Sequence, residues 1–315
     1  MSLTVRQFQE GEAAAWDSFC GESFQGTFLH TRRFLTYHGE RFADRSLIIE
    51  DNGHWVGIFP AAQVEGEIIS HPGLTYGGVL HRGGLFGSRM IAALEILSRH
   101  YAGQGFTRLV YKVVPAIYHH VAAQDDLYAL HRLGAVRHRC LLSSTIDLRN
   151  RRPVAERRRR GVRRAVRAGV VLVEGREWLR PFWTILAANL GRRHQARPVH
   201  SIEEIEDLAD RFPAEISCLC ATWERQVVAG TVLFRSETTV HTQYIAASED
   251  GFRLSALDAL FDQAISTASS GPWRWFDFGT SNEQGGQVLN DGLYTFKTEF
   301  GGGGTVYETF ELDLK

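Results

Sequence analysis

The sequence predicts an α/β (α+β) protein made of two tandem units, each a mixed sheet packed by helices. The chain is 315 residues long, enough for two small domains with cores of their own. One order of elements, hairpin, strand, helix, strand, is written twice. Between the copies lies a basic segment unlike the rest. The units are expected at residues 1–148 and 171–315, with residues 149–170 as an arginine-rich linking helix.

The first copy opens with Leu47-Ile-Ile-Glu-Asp-Asn-Gly-His-Trp-Val-Gly57, read as a strand, an Asn52-Gly53 turn and a second strand. Asn-Gly suits the positive φ angles of a two-residue hairpin. An apolar-aromatic stretch, Leu74 to Leu80, is expected as the next strand. Ser88 to Tyr101 has helical periodicity, and Thr107 to Val114 reads as a strand. The second copy has a hairpin from Ile216 to Phe234 and a strand from His241 to Ala247. A helix from Leu254 to Ala268 and a strand from Trp273 to Phe278 complete it. Identity between the copies is low, so the pattern argues for repeated architecture alone.

From Arg149 to Arg167 there are ten arginines and one acid, Glu156, giving this stretch +9; the remainder then carries −10 of the net −1. Pro153 can start a helix and Gly169 can stop it. Val162, Ala165, Val166 and Gly169 share one face by spacing, leaving arginines on the rest. Such a helix repels itself unless acids or a polyanion lie close. Arg157, Arg160 and Arg164 are therefore candidate phosphate contacts, and a solvated basic linker is the rival reading.

Composition excludes several classes. The apolar fraction is 44% and the charged fraction 23%, which rules out global disorder. No run of about eighteen apolar residues offers a membrane span. Glu10, Glu12 and Asp17 break any secretory signal layout. Cys20, Cys140, Cys218 and Cys220 are scattered, with only the last pair on one strand face, so reduced thiols and a cytoplasmic location are expected. His119 and His120 near Asp125 and Asp126 lack a completing ligand, and no metal is expected.

The second unit has the denser chemistry. After the strand ending at Ala247 comes Ser248-Glu-Asp-Gly251-Phe-Arg253-Leu-Ser255-Ala256 and then a helix. A helix start reached through small residues leaves N–H groups for an anion, so Gly251, Arg253, Ser255 and Ala256 are donor-binding candidates. Asp277 ends a strand, where a carboxylate can orient or deprotonate an amine. His241 and Tyr244 are expected to point into the cleft from one strand. A polar loop then runs to Asn290, followed by Gly292-Leu-Tyr294-Thr-Phe296-Lys297-Thr-Glu-Phe300-Gly301. In the first unit, His71-Pro-Gly-Leu-Thr-Tyr76-Gly-Gly is a candidate acceptor lining at the junction of the units.

These residues carry a resemblance. Asn290, Tyr294 and Phe300-Gly301 resemble the helix and following turn of the GNAT acyltransferase fold, in which the tyrosine protonates the departing CoA thiolate. Phe296-Lys297 with Phe300-Gly301, reached from Phe276-Asp277-Phe278-Gly279, resembles the Fem peptidyltransferases, double-GNAT proteins that use aminoacyl-tRNA. The basic run ending in Ala168-Gly169-Val170, Asp126 to Ala135, and Pro198-Val-His-Ser201 fit a FemAB-related subgroup. The resemblance spans about residues 40 to 312. It implies Tyr294 as proton donor, Lys297 as stabiliser of an oxyanion or phosphate, and Phe296 as substrate contact, with Asn290 in donor binding. Two departures keep the donor open. The 251–256 loop keeps one glycine of the usual pyrophosphate pattern, and the inserted helical hairpin of many tRNA-using Fem proteins is missing.

The expected activity is N-acylation, with acyl-CoA as co-substrate and an amino group of a small molecule, sugar or peptide precursor as acceptor. The alternatives are a Fem-type transferase using aminoacyl-tRNA, a non-catalytic nucleic-acid-binding protein, and a degenerate GNAT protein that only binds a partner.

Overall fold

The computed structural model describes residues 3–194 and 198–314, with backbone alone at residues 192–194. Two compact units divide the chain. The first contains Met1–Leu141, Gln284–Gln287 and Val306–Lys315, and the second Leu142–Glu283 and Val288–Thr305. The C-terminal strand groups with the first unit because residues 309–313 pair antiparallel with residues 108–112.

In the first unit, β1 (Leu3–Gln7), β2 (Leu47–Asp51) and β3 (His54–Phe59) form an antiparallel sheet. Asn52 and Gly53 turn the hairpin at φ 51° and 78°, as their side chains predict. A second sheet holds β4 (Ala62–Val64), β5 (Glu67–Ile69) and β6 (Arg108–Lys112). Helices α1 (Ala13–Glu22), α2 (Ser88–Gly103) and α3 (Asp125–Arg132) complete this unit. Met90, Ala93, Leu94, Leu97 and Tyr101 recur at helical spacing, so α2 buries one stripe against Leu47, Ile49, Phe59 and Leu109.

The stretch Leu74 to Leu80 is not a strand; only Leu80 makes a bridge, to Ile58. Its neighbouring carbonyls are taken by a side chain instead. Lys112 Nζ donates to the carbonyl oxygens of His71, Pro72 and Leu74. Tyr76, expected at an acceptor site, is buried in this unit with its hydroxyl donating to Thr27 Oγ1.

The long strand β7 (Val136–Asp147) carries the chain into the second unit. There follow α4 (Glu156–Arg167), β8 (Val171–Glu174), α5 (Leu179–His194) and α6 (Ile202–Arg211). Next come β9 (Ile216–Trp223), β10 (Gln226–Arg235), β11 (Thr239–Ala247), α7 (Glu249–Arg253) and α8 (Ala256–Ser270). The last elements are β12 (Trp275–Thr280), α9 (Asp291–Thr298) and β13 (Gly303–Asp313). The strand order in this unit is β8-β9-β10-β11-β12-β7, antiparallel except for β11 and β12. Leu260, Phe261, Ala264, Ile265 and Ala268 of α8 cover one face with Val240, Phe276, Phe278 and Phe300. α5 covers the other, where a side chain at Gly230 would overlap the Phe182 ring.

The arginine helix starts at Glu156 and not at Pro153. The preceding residues run extended, with Arg152 N–H donating to Gly301 O and Ala155 N–H to Glu299 O. Its packed face is shifted from the expected one, sharing Ala165 and the half-buried Val162 with it. Gly161 and Ala165 are buried, whereas Val166 is 65% exposed. A Cβ on Gly161 would lie 2.4 Å from Asp258 Oδ2, so glycine lets α4 settle on the first turn of α8.

Candidate active site

β11 and β12 pair for three rungs only: Thr239 with Trp275, Val240 with Phe276 and His241 with Asp277. Each strand then loses register with its outer neighbour. Gln243 is an extra residue opposite β10, and β12 shifts against β7 between Asp277 and Thr280. Bulges turn strands and re-aim side chains. Here they coincide with the last shared rung, so the strands part just beyond His241 and Asp277.

The bulge also settles which side chains share a face. Three residues apart on a regular strand, His241 and Tyr244 would point oppositely. The extra Gln243 restores them to one face, while Val240 and Ile245 join the core under α8.

Asp277 is fully buried. Its Oδ1 accepts from Ser143 Oγ at 2.5 Å and Thr145 Oγ1 at 2.7 Å, and its Oδ2 lies 2.7 Å from His241 Nδ1. Burial alone pushes this carboxyl up. The His241 ring and the two hydroxyls outweigh that and hold it below the usual carboxylate range. An ionised carboxylate only accepts, so His241 Nδ1 bears the proton of this contact and Nε2 is turned away from it. No group among the described residues bonds Nε2. Gly279, at φ 72°, lies beside the ring, where a Cβ would come within 3.3 Å of His241 Cε1.

α9 is tied to this rung. Lys297 is buried and donates from Nζ to the carbonyls of Gly279 (2.9 Å) and Thr280 (2.8 Å). Burial lowers its pKa to about 8. Lys297 thus pins the end of β12 with two of its three N–H donors, which leaves one for the expected oxyanion or phosphate contact. Tyr294 is one turn earlier on the same side of α9, with its hydroxyl beside Gly304, where a Cβ would be 3.1 Å away. Asn290, an expected donor contact, caps α9, accepting from Leu293 N–H and donating to Glu283. Phe296 packs edge-on to Phe261 and Phe300, with the Arg158 guanidinium 4.8 Å from its ring centre.

At the start of α8, Ser255 takes a left-handed φ of 60° and the chain turns from α7 into the helix. Ser255 N–H donates to Phe252 O and Asp258 N–H to Ser255 O, so the N–H groups of Ala256 and Leu257 are the ones at this helix start that a ligand could use. Gly251 is needed because a Cβ would meet Val228 O at 2.1 Å. Ala256 is buried; Arg253 pairs with Asp250 and sits 5.3 Å from the Trp223 ring centre. Across this helix start lies α4, fixed by Arg158 to Asp258 at 2.7 Å. Burial raises Asp258 to about 6, against the pull of that guanidinium. Arg157 pairs with Glu299, and Arg159, Arg160 and Arg163 all reach Glu156; Arg164 is exposed.

On the α5 side, Tyr244 bonds His200 Nδ1 through its hydroxyl at 2.5 Å and meets the Trp183 ring edge-on. Burial raises its pKa to about 12. Ser143, Thr145 and His200 were not singled out as site residues in the sequence. The signal for the first two was a period-2 hydroxyl pattern in Ser143-Ser-Thr145, on a strand the repeat did not contain. Among the described residues, no three His, Cys, Asp or Glu side chains converge as a metal site would require. Nor is any helix long and apolar enough to cross a membrane.

A splayed parallel pair beside a helix N-terminus, with a tyrosine on the next helix, defines a class. Residues 149–296 match the acetyltransferase (GNAT) domain model, and the chain is an acyltransferase. Its whole length has the FemAB-like double-GNAT fold. The crystal structure of FemX aligns over 100% of this chain and 98% of its own, at TM-score 0.68 and 14% identity. A tandem GNAT protein from the clavulanic acid biosynthesis pathway aligns over 100% and 99%, at 0.54 and 11%. L-PGS from Bacillus licheniformis aligns over 85% and 83%, at 0.58 and 14%. No curated protein sequence matches the chain.

Proposed function

We propose that the chain is an N-acyltransferase in which His241, held by Asp277, takes the proton of an acceptor amine. The observation that carries this is the buried Asp277–His241 pair at the last rung before β11 and β12 part, with Nε2 bonded by none of the described residues. The amine attacks the donor carbonyl, the tetrahedral oxyanion collapses, and the leaving group departs with a proton from Tyr294. No covalent enzyme intermediate is required. Asp277 keeps the ring in the tautomer that accepts at Nε2, and Lys297 fixes the strand end that carries Asp277.

The donor is read as an acyl-CoA. The turn at Ser255 presents the start of α8 to a pyrophosphate, as the GNAT resemblance implies, with Gly251, Arg253 and Ala256 shaping that turn. The acceptor is an amino group on a small molecule, sugar or peptide precursor. Four free cysteines suit a reducing cytoplasmic setting. The second reading, aminoacyl-tRNA as donor, is favoured by the exposed side of α4, where Arg160 is 75% exposed and Arg164 is open to solvent.

One experiment addresses both. Acetyl-CoA and bulk charged tRNA are titrated separately into the protein at low and high salt, and thiol release from acetyl-CoA is followed with a panel of amines. Saturable acetyl-CoA binding is expected. His241→Ala is expected to lower amine-dependent turnover by about 10²–10⁴ without loss of CoA binding, and Tyr294→Phe to do likewise. Turnover indifferent to His241→Ala would remove the proposed base. Salt-sensitive tRNA binding without CoA binding would move the donor assignment to aminoacyl-tRNA.

A further inference from the structure

We propose that the second unit holds another ligand site, for an α-amino acid with an apolar side chain, on the face of the sheet opposite His241. A cavity of about 300 Å³ lies there between α8 and strands β8 to β11. Its apolar wall is made by Leu219, Leu233 and Val240 from the sheet, Ala264 and Ala268 from α8, and Trp273, and the lining also includes polar side chains. Val240 faces this cavity, while its neighbour His241 faces the other way, so the two sites are separated by the sheet.

The void is set by side-chain size. α8 presents Leu260 and Phe261 to the core in its first turns; beside the cavity, with the exposed Gln263 and Thr267 at the rim, its buried side chains are Ala264 and Ala268. Protein interiors are close-packed, and an apolar void forfeits the contacts its walls could make. A larger residue at either position would remove that loss. At about 300 Å³ the space is at the lower end of small-ligand pockets, which suits a single amino acid rather than a cofactor.

The chemistry of the lining names the ligand. Arg235 and Glu174 also line the cavity and pair at 3.0 Å, with the arginine side chain 16% exposed and the glutamate 48%. That contact uses one of the five guanidinium N–H donors and one carboxylate oxygen. An α-carboxylate fits the remaining donors, and an α-ammonium fits the remaining oxygen of Glu174. A simple carboxylate would bring a like charge to Glu174, and a simple amine would bring one to Arg235. A zwitterion matches both, and its apolar side chain fills the cavity.

Calorimetric titration tests this with L-leucine and L-phenylalanine, beside 4-methylpentanoate and 3-methylbutylamine, which lack the ammonium or the carboxylate. Saturable binding of at least one amino acid is expected, about tenfold or more tighter than either single-charge analogue. Ala264→Phe, which fills the void, and Arg235→Met, which removes the fork, should each abolish it. His241→Ala should leave it intact, separating this site from the proposed active site. The proposal is overturned if neither amino acid binds, if the single-charge analogues bind equally well, or if both lining variants retain full affinity.

Discussion

At the scale of residues, the proposed chemistry depends on the buried carboxylate of Asp277 and what surrounds it. Its two hydroxyl donors and the His241 ring leave it no need of solvent. Asp277→Asn keeps the shape but adds an N–H₂, which must face either a hydroxyl or His241 Nδ1. Facing the hydroxyls, it opposes both of their donors; facing His241, it opposes the Nδ1 proton and favours the other tautomer. Turnover should fall about 10²-fold or more, with a stability loss of roughly 1–3 kcal/mol measured by urea unfolding at pH 7. Because Asp277 is held below its usual range, the stability it contributes is present at neutral pH and lost only as pH falls through its folded-state value. The variant should lack that acid dependence; an unchanged acid limb would deny Asp277 its charged state. Asp277 and His241 were both legible in the sequence as a polar group at a strand end and a histidine on the preceding strand. Their partners were not, since Ser143 and Thr145 lie more than 130 positions away and nothing local announces the contact. Lys297 was legible as important, but its two carbonyl partners were not, because sequence does not show which backbone groups a buried cation reaches.

At the scale of elements, what formed from local rules was readable. The Asn52-Gly53 hairpin, the amphipathic stripe of α2 and the strand before Asp277 follow from turn chemistry and periodicity. What depends on tertiary partners was not. Leu74 to Leu80 has strand-like composition, yet Lys112 takes carbonyls beside it, and α4 buries Gly161 where hydrophobicity pointed to Val166. Glycine at 161 is a contact requirement, not a flexibility device, and this can be measured. Gly161→Ala places a methyl 2.4 Å from Asp258 Oδ2, so α4 must lift or Arg158 must release Asp258. A loss of about 1–3 kcal/mol is expected. Gly21→Ala, inside α1 with nothing within 4 Å of the new methyl, should instead gain roughly 0.5–1 kcal/mol. Paired urea curves decide it. Equal effects of one sign at both positions would show that helix propensity, and not the α4–α8 contact, governs Gly161.

At the scale of the whole molecule, titratable groups are divided unevenly, and the division bears on how the chain meets acid. The first unit buries His30, His71 and His81 as neutral rings, with burial the chief cause, lowering them to about 4, about 2 and about 4. Unfolded, each would protonate near about 6.5. Between that value and the folded one the unfolded chain binds more protons, so stability is full above about pH 6.5 and declines as pH falls. By pH 5 this amounts to something on the order of 2 kcal/mol each for His30 and His71. Asp126, raised to about 6 by burial in the same unit, works in the opposite sense but is one group against three. In the second unit Asp258 is likewise raised to about 6, so acid relieves its burial cost, while Asp277 is unaffected until far lower pH. The first unit should therefore lose protection before the second. Hydrogen exchange with mass spectrometry at pH 7 and pH 5, corrected for intrinsic rates, resolves the two. Faster exchange at pH 5 in α2 and β6, with β10 and α8 unchanged, is the expected pattern. Uniform loss across both units would mean that the buried imidazoles do not set the acid limit. His30→Gln, which keeps a polar ring-sized group without the titration, should then raise the pH 5 protection of the first unit only if they do.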